Sequence, residues 1–337
     1  MEKLKVVRAY GPGDLRMTED PIPTPAEGQV LVQVKASGIC GSDKWYWFVP
    51  GYSERVAGHE VAGCIAAVGP GVYALKEGDR VAVNNVVGCG TCPACRAGDF
   101  VRCPNWTGAE DVNHGYSEYV VTPARNCMKL HDSLSYLQGC LVMDNWGTPY
   151  GGLQRINARP GMDIVVTGCG PIGLAAVGLA TALGASVIAV DPVQDRLDAA
   201  LRLGARAALK PSTDLPEQVR ALTDGLGSHA HLECSGSGKA YETGLKALRI
   251  GGDFVTIGEH VEYLLHPSDY VLRRHLSILG TWYSTIAQGR EVQDLAVSGR
   301  IRLEDLVSHT VSLDEVPGIF GQVIEMSGGI RKCVILM

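Results

Sequence analysis

Cys89, Cys92, Cys95 and Cys103 fall within fifteen residues, in the run G-C-G-T-C-P-A-C-R-A-G-D-F-V-R-C. Any fold this chain adopts has to accommodate that run. Two C-x2-C steps and a seven-residue gap let four thiolates meet one Zn²⁺ as a closed tetrahedron, the arrangement of a structural site. The lobe they would tie covers about residues 86–105. A disulfide cluster is the alternative, and it needs an oxidising compartment. The opening M-E-K-L-K-V-V-R-A-Y lacks the apolar core and cleavage site of a signal peptide, so reduced thiols in the cytoplasm are expected. Cys64, Cys127, Cys140, Cys169, Cys234 and Cys333 have no paired spacing and read as small buried apolar residues.

A chain of 337 residues exceeds one ordinary core, and two domains are expected. The net charge of −6, with no basic run, argues against a nucleic-acid partner, and no apolar stretch approaches spanning length for a membrane. Up to about Tyr150 the pattern is short strands and glycine-rich turns, as in a small antiparallel β-barrel. Gln29–Lys35 alternates apolar and polar residues, and Val61–Val68 and Arg80–Val83 look similar. From about Gly147, apolar strands alternate with helical stretches at Ile164–Thr167, Ser186–Val190, His231–Glu233 and Asp253–Ile257, which predicts a parallel α/β sheet. After about Gly280 the character is mixed and ends in a strand-like Cys333–Leu336.

Asp163–Thr167 leads into Gly168-Cys169-Gly170-Pro171-Ile172-Gly173 and then a helix-like Leu174–Leu183. A bare G-x-G-x-x-G is weak evidence; between a strand and a helix it reads as a dinucleotide loop. Gly168 would make the tight turn, Gly170 would let the backbone approach a pyrophosphate, and Gly173 would let the helix pack on the strand. Asp191 ends the next strand, where a carboxylate accepts hydrogen bonds from ribose hydroxyls and repels a 2′-phosphate. NAD is thereby favoured over NADP, with Arg196 as a counterweight. Cys40 in Gly38–Asp43 and His59 in Gly58-His59-Glu60 could supply two ligands of an open zinc site. Taken alone, Cys40 also reads as a buried apolar residue and His59 as a satisfied core histidine.

With Gly-Ile-Cys40-Gly-Ser-Asp43, Gly58-His59-Glu60, the Cys89–Cys103 lobe, Gly115-Tyr116-Ser117-Glu118-Tyr119 and the G-C-G-P-I-G loop in this order, nearly the whole chain resembles the zinc-dependent medium-chain dehydrogenases, the alcohol and polyol dehydrogenases. The resemblance implies a GroES-like β-barrel catalytic domain (1–146 and 282–337) interrupted by a Rossmann doubly wound parallel-sheet domain (147–281), with the active site in the cleft between them. It implies two zinc ions per chain and NAD as cofactors. Cys40 and His59 become ligands of a catalytic zinc, with Asp144 in Leu141–Gly147 as the third candidate. If Asp144 is an ordinary helix-terminal carboxylate, the site rests on Cys40, His59 and Glu60, and Glu60 is otherwise an alternating ligand. Asp43 would take the second imidazole N–H of His59, and Ser42 would take the alcohol proton. Ser235 and Ile257 match places where the sheet edge approaches the cofactor.

Zinc lowers the pKa of bound water from about 16 to about 7, and the resemblance implies a comparable acidification of a secondary alcohol, of a polyol, sugar or cyclitol, before hydride passes to NAD. Two departures bear on substrate. Lys44-Trp45-Tyr46-Trp47-Phe48 stands where relatives often place a relay histidine, leaving a ribose–water path or His114; its four aromatics read either as packing or as a substrate wall. Gly280-Thr281-Trp282-Tyr283-Ser284 lacks the substrate-holding arginine of many polyol dehydrogenases. The rival readings are a simple alcohol or aldehyde dehydrogenase and a zinc-free, quinone-reductase-like binding protein. A homodimer or homotetramer is expected. His229, His231, His260 and His266 show no ligand spacing.

Overall fold

The computed structural model describes residues 3–49, 55–106, 114–259 and 262–337. Strands β1 (Lys3–Gly11) and β2 (Asp14–Pro21) form a hairpin. They are followed by β3 (Gln29–Gly38), β4 (Arg55–Val56), β5 (Glu60–Val68), β6 (Arg80–Val83), β7 (Tyr119–Pro123) and β8 (Cys127–Lys129). Next come β9 (Asp163–Thr167), β10 (Ser186–Val190), β11 (Ala207–Leu209), β12 (Ser228–Glu233), β13 (Leu248–Thr256) and β14 (Ser277–Gly280), with helices interleaved, and then β15 (His309–Ser312) and β16 (Cys333–Leu336). The chain divides into two compact units, 1–144 with 283–337, and 145–282. The first division falls two residues before the expected one. Trp146 is fully buried, and its ring lies where a side chain on Gly178, in the helix Pro171–Ala182, would stand, so this stretch belongs with the second unit.

In the first unit the sheet order is β15-β16-β3-β5-β6-β8, with β7 also beside β3; only β15 and β16 run parallel. The alternation of β3 places Val30, Val32 and Val34 in one core with Val61, Ile65, Val81, Val83 and Val120. β3 runs to Gly38, beyond the alternating stretch, because its last residues are paired on both sides, with β5 (Gly38 opposite Glu60) and with β16 (Gly38 opposite Val334, Ser37 opposite Ile335). A second core joins Val6 and Val7 of β1 to Tyr116, Val316, Phe320 and Ile335, so the return segment is packed into the N-terminal half.

In the second unit six strands, all parallel, lie in the order β11-β10-β9-β12-β13-β14. This is the order of a doubly wound dinucleotide fold, whose ligands bind beyond the carboxyl ends of the central strands. β9 and β10 carry the residues that their apolar runs predicted, whereas β12 and β13 begin earlier, at Ser228 and Leu248. The helix after the glycine loop starts at Pro171 rather than Leu174. Proline fits a first helical position, where its missing N–H has no partner to lose. His229 accepts the Asp163 N–H, and buried His231 meets the Thr167 hydroxyl at 3.0 Å and stacks on Phe254; His260 lies outside the described residues. Among the described residues, no helix is long and apolar enough to cross a membrane.

Candidate metal centres and dinucleotide loop

Cys89, Cys92, Cys95 and Cys103 present sulfurs all within 4.8 Å of one another. Backbone amides already point at two of them: Cys89 N–H donates to Cys103 Sγ at 3.3 Å and Cys95 N–H to Cys92 Sγ at 3.4 Å. Hydrogen bonding from Thr91 pulls the Cys89 thiol down to about 5, while burial pushes Cys95 up to about 12. A cation among four sulfurs resolves that opposition, because metal ligation requires the thiolate. The donor set fits a structural zinc site.

The second cluster joins Cys40, His59, Glu60 and Asp144, again with donor atoms within 4.8 Å. Antiparallel pairing assembles its first half. Gly38 at the end of β3 sits opposite Glu60 at the start of β5, so Cys40, just past one strand, meets His59, just before the other. Asp144 arrives from a helix over Tyr136–Leu141 that packs across β3 and β5. The Ser135 capping box with Gln138 starts that helix, and Val142–Trp146 then widens into a π turn holding Asp144. Such turns recur at functional sites. Asp144 Oδ2 is 3.1 Å from His59 Nε2 and 3.9 Å from Cys40 Sγ.

Asp43 Oδ1 lies 3.3 Å from His59 Nδ1, and its Oδ2 accepts the Cys40 N–H at 2.9 Å. Ser42 donates its hydroxyl to Cys40 Sγ at 3.4 Å. Burial pushes the Cys40 thiol up. Burial also works against charge on His59, but Tyr283, Asp43 and Cys40 outweigh it and hold that imidazole well above its ordinary range. A pocket that favours positive charge on a buried ring suits a cation. Glu60 Oε2 is buried with no hydrogen-bond partner, a further oxygen available to a metal. One imidazole, one thiol and carboxylates form the donor set of an open zinc site.

Two residues near this centre had no role assigned from the sequence, Tyr283 being named only within the run Gly280–Ser284. Lys332, in the return segment, is buried to 1 % exposure; its ammonium donates to Glu60 Oε1 at 2.6 Å and to Ile39 O at 3.0 Å. Burial opposes that charge, but Glu60 overrides it and raises the lysine above its usual range. Tyr283 sets its ring edge-on to His59, centroids 6.1 Å apart, from a left-handed backbone (φ +52°) rare for so large a residue. Neither position carries a motif. The aromatic run divides: Trp47 packs on Phe320 (5.6 Å) and, with Tyr46, against the second core, while Phe48 is half exposed. The His114 carbonyl accepts the Ser117 hydroxyl.

In the second unit the cofactor candidates gather at the carboxyl ends of β9, β10, β12 and β13. Gly168 has φ +87°, and a side chain on Gly173 would strike its carbonyl. Gly170 caps the helix that Pro171 and Ile172 begin. Asp191 is buried: Oδ2 accepts the Cys169 N–H (2.8 Å), Oδ1 the Val193 N–H (2.9 Å), and Arg196 lies 3.7 Å away. The acidic residue is thus locked to the loop it serves. Ser235 N–H donates to the buried Glu233 at 2.7 Å, and Ile257 N–H to the Glu233 carbonyl at 2.9 Å, which sets both beside the loop strand.

Residues 26–132 match the alcohol dehydrogenase GroES-like domain and residues 171–298 the zinc-binding dehydrogenase family. The chain belongs to the zinc-dependent medium-chain dehydrogenase family. It is 33 % identical to a probable D-xylulose reductase A of Aspergillus clavatus, over 87 % of this chain and 86 % of that protein. Among solved structures, a short chain alcohol dehydrogenase of E. coli CFT073 complexed with NADH superposes with a TM-score of 0.90 at 27 % identity, covering all of both chains. Galactitol-1-phosphate dehydrogenase of Escherichia coli gives 0.91 at 25 %, over 99 % of this chain and 100 % of that one. The protein is an oxidoreductase of the zinc-type alcohol dehydrogenase kind.

Proposed function

We propose that this chain oxidises a secondary alcohol of a polyol, sugar or cyclitol to the ketone, reversibly, with NAD as hydride acceptor. The observation that carries the reading is the convergence of Cys40, His59 and Asp144, with Glu60, on one point of a fold that also holds a strand–glycine loop–helix. Zinc in that cluster supplies Lewis acidity toward a hydroxyl oxygen, and the nicotinamide ring supplies the hydride acceptor. The side chains do the rest. Asp43 Oδ1, 3.3 Å from His59 Nδ1, favours a proton on that nitrogen and leaves Nε2 to face inward. Ser42, already within reach of the cluster at Cys40, relays the proton that the alcohol releases, taking it up as its own hydroxyl proton passes on toward the cofactor ribose and water. Lys332 anchors the Glu60 carboxylate and offsets part of the cost that burial imposes on its charge. The four-cysteine lobe is structural.

The polyol preference is supported by the xylulose reductase and galactitol-1-phosphate dehydrogenase likenesses. A panel of polyols, cyclitols and short primary alcohols, followed by NADH absorbance, tests it. Polyhydroxylated secondary alcohols are expected to give the highest kcat/KM; turnover confined to short primary alcohols would overturn it. The expected assembly is a homodimer or homotetramer, measurable by light scattering.

The preference for NAD rests on Asp191 at the carboxyl end of β10. Asp191→Asn keeps an acceptor for the Cys169 amide while removing the charge that repels a 2′-phosphate, and Arg196 remains to receive it. A hydrogen bond to a charged group contributes about 1.5–3 kcal/mol. The ratio of kcat/KM for NAD over NADP should therefore fall about 10- to 100-fold. An unchanged ratio would remove Asp191 from cofactor selection.

A further inference from the structure

We propose that Tyr116 is a positioning residue of the Cys40–His59–Asp144 centre, acting through Asp43 on the imidazole of His59. The inference rests on the metal-holding role proposed for that centre.

Tyr116 is fully buried, and its backbone is tied on both sides: its N–H donates to Ala57 O and its carbonyl accepts the Val7 N–H, each at 2.9 Å. The ring fills a fixed slot. It lies edge-on to Phe320, centroids 6.1 Å apart, and so close to Gly58 that any side chain there would strike it. A phenylalanine would satisfy that packing equally. The hydroxyl is what packing does not explain, and a buried tyrosine hydroxyl needs a partner.

Its partner is the carboxylate behind a candidate ligand. Tyr116 donates to Asp43 Oδ2 at 2.5 Å, and the same oxygen accepts the Cys40 N–H at 2.9 Å. Two donors on Oδ2 fix the plane of the carboxylate and leave Oδ1 toward His59 Nδ1 at 3.3 Å. A carboxylate oxygen facing Nδ1 favours keeping the proton there, so Nε2, which faces Asp144, is the nitrogen left to give up its proton to a metal. Without the phenol, Asp43 is held on Oδ2 by a single amide and can turn. The order Tyr116–Asp43–His59 thus runs from the packed core of the first unit to the cluster.

The test uses the full chain loaded with zinc and a double-mutant cycle of Tyr116→Phe and Asp43→Asn. Zinc affinity is read by competition with a chromogenic chelator, and the ion of this centre is identified as the one missing from Cys40→Ser. Tyr116→Phe should weaken that ion about tenfold, the lower end of what loss of an outer hydrogen-bond partner causes. In the Asp43→Asn background the same change should add less than twofold, because residues in one network are not additive. Phe320→Leu, which touches the ring but not the hydroxyl, should lower the thermal midpoint and leave zinc affinity within twofold. The proposal is overturned if two zinc ions are bound and Tyr116→Phe leaves both affinities unchanged. It is equally overturned if the two substitutions multiply, or if Phe320→Leu weakens zinc as much. A wild-type chain that holds zinc in the four-cysteine lobe alone overturns the metal reading and this inference together.

Discussion

Cys40→Ser should abolish NAD reduction while leaving a folded chain with one zinc ion, whereas Cys95→Ser should lose zinc and stability together. The contrast follows from what each cluster is attached to. Cys40 exchanges one atom at the edge of a pocket whose walls, β3 and β5, are paired along their length and backed by an aliphatic core. Losing a thiolate there removes affinity for an ion whose Lewis acidity accounts for several kcal/mol of transition-state stabilisation, about a thousandfold in rate. His59→Ala should behave alike in activity, at some added cost from the Asp43 and Asp144 oxygens that lose their contact with the imidazole. Cys95 belongs to a lobe in which one four-residue helix, Pro93–Arg96, is the only helix among the described residues of 86–105, so sulfur–metal bonds are its main constraint. Metal content and a thermal melt on each variant decide the matter. Full activity in Cys40→Ser and His59→Ala would defeat the metal mechanism, and a Cys95→Ser chain with both ions and an unshifted midpoint would defeat the structural role of the lobe.

Lys332→Met should be the most destabilising change outside the two clusters. The methionine fills the space but leaves the Glu60 carboxylate, fully buried, without the ammonium that ion-pairs with it. Breaking a buried pair by removing one partner costs about 3–5 kcal/mol, because the remaining charge must stay uncompensated or take up a proton. In a unit of this size that corresponds to a midpoint lower by roughly 10 °C. Glu60→Gln combined with Lys332→Met removes both charges and should recover most of the loss. Calorimetry on the two single variants and the double one gives the coupling; a Lys332→Met melt within 2 °C of wild type (about 1 kcal/mol) would show that the pair carries no such strain.

Much of the fold and of the candidate site was legible because its signals are local. Strand residues at β6, β9, β10 and β16 stand in short apolar runs bounded by turns, and C-x-x-C and G-x-G-x-x-G are spacings within a few residues. What could not be read depends on partners far along the chain. Lys332 reaches Glu60 across 272 positions, and nothing in Arg331-Lys332-Cys333 marks a lysine as buried. The extra length of β3 comes from pairing with β5 and β16 on its two sides, and the π turn that carries Asp144 leaves no mark in Val142–Trp146. Tyr116 appeared in the sequence only as part of a motif; its role depends on a hydroxyl aimed at Asp43. Trp47 belongs to the core because Phe320 waits for it, a pairing no window of the sequence contains.

The first unit is sewn from two lengths of polypeptide, and the later one supplies both β16 and Lys332. A ribosome that has released residues 1–300 has already delivered all eight candidate ligands, yet Glu60 lacks its lysine partner and the outer edge of β3 is bare beside Gly38. The sheet of the second unit, by contrast, is complete within one continuous stretch. Synthesis from the N-terminus therefore favours a dinucleotide fold that matures early, and a candidate metal pocket whose electrostatic balance is struck only once Lys332 has emerged.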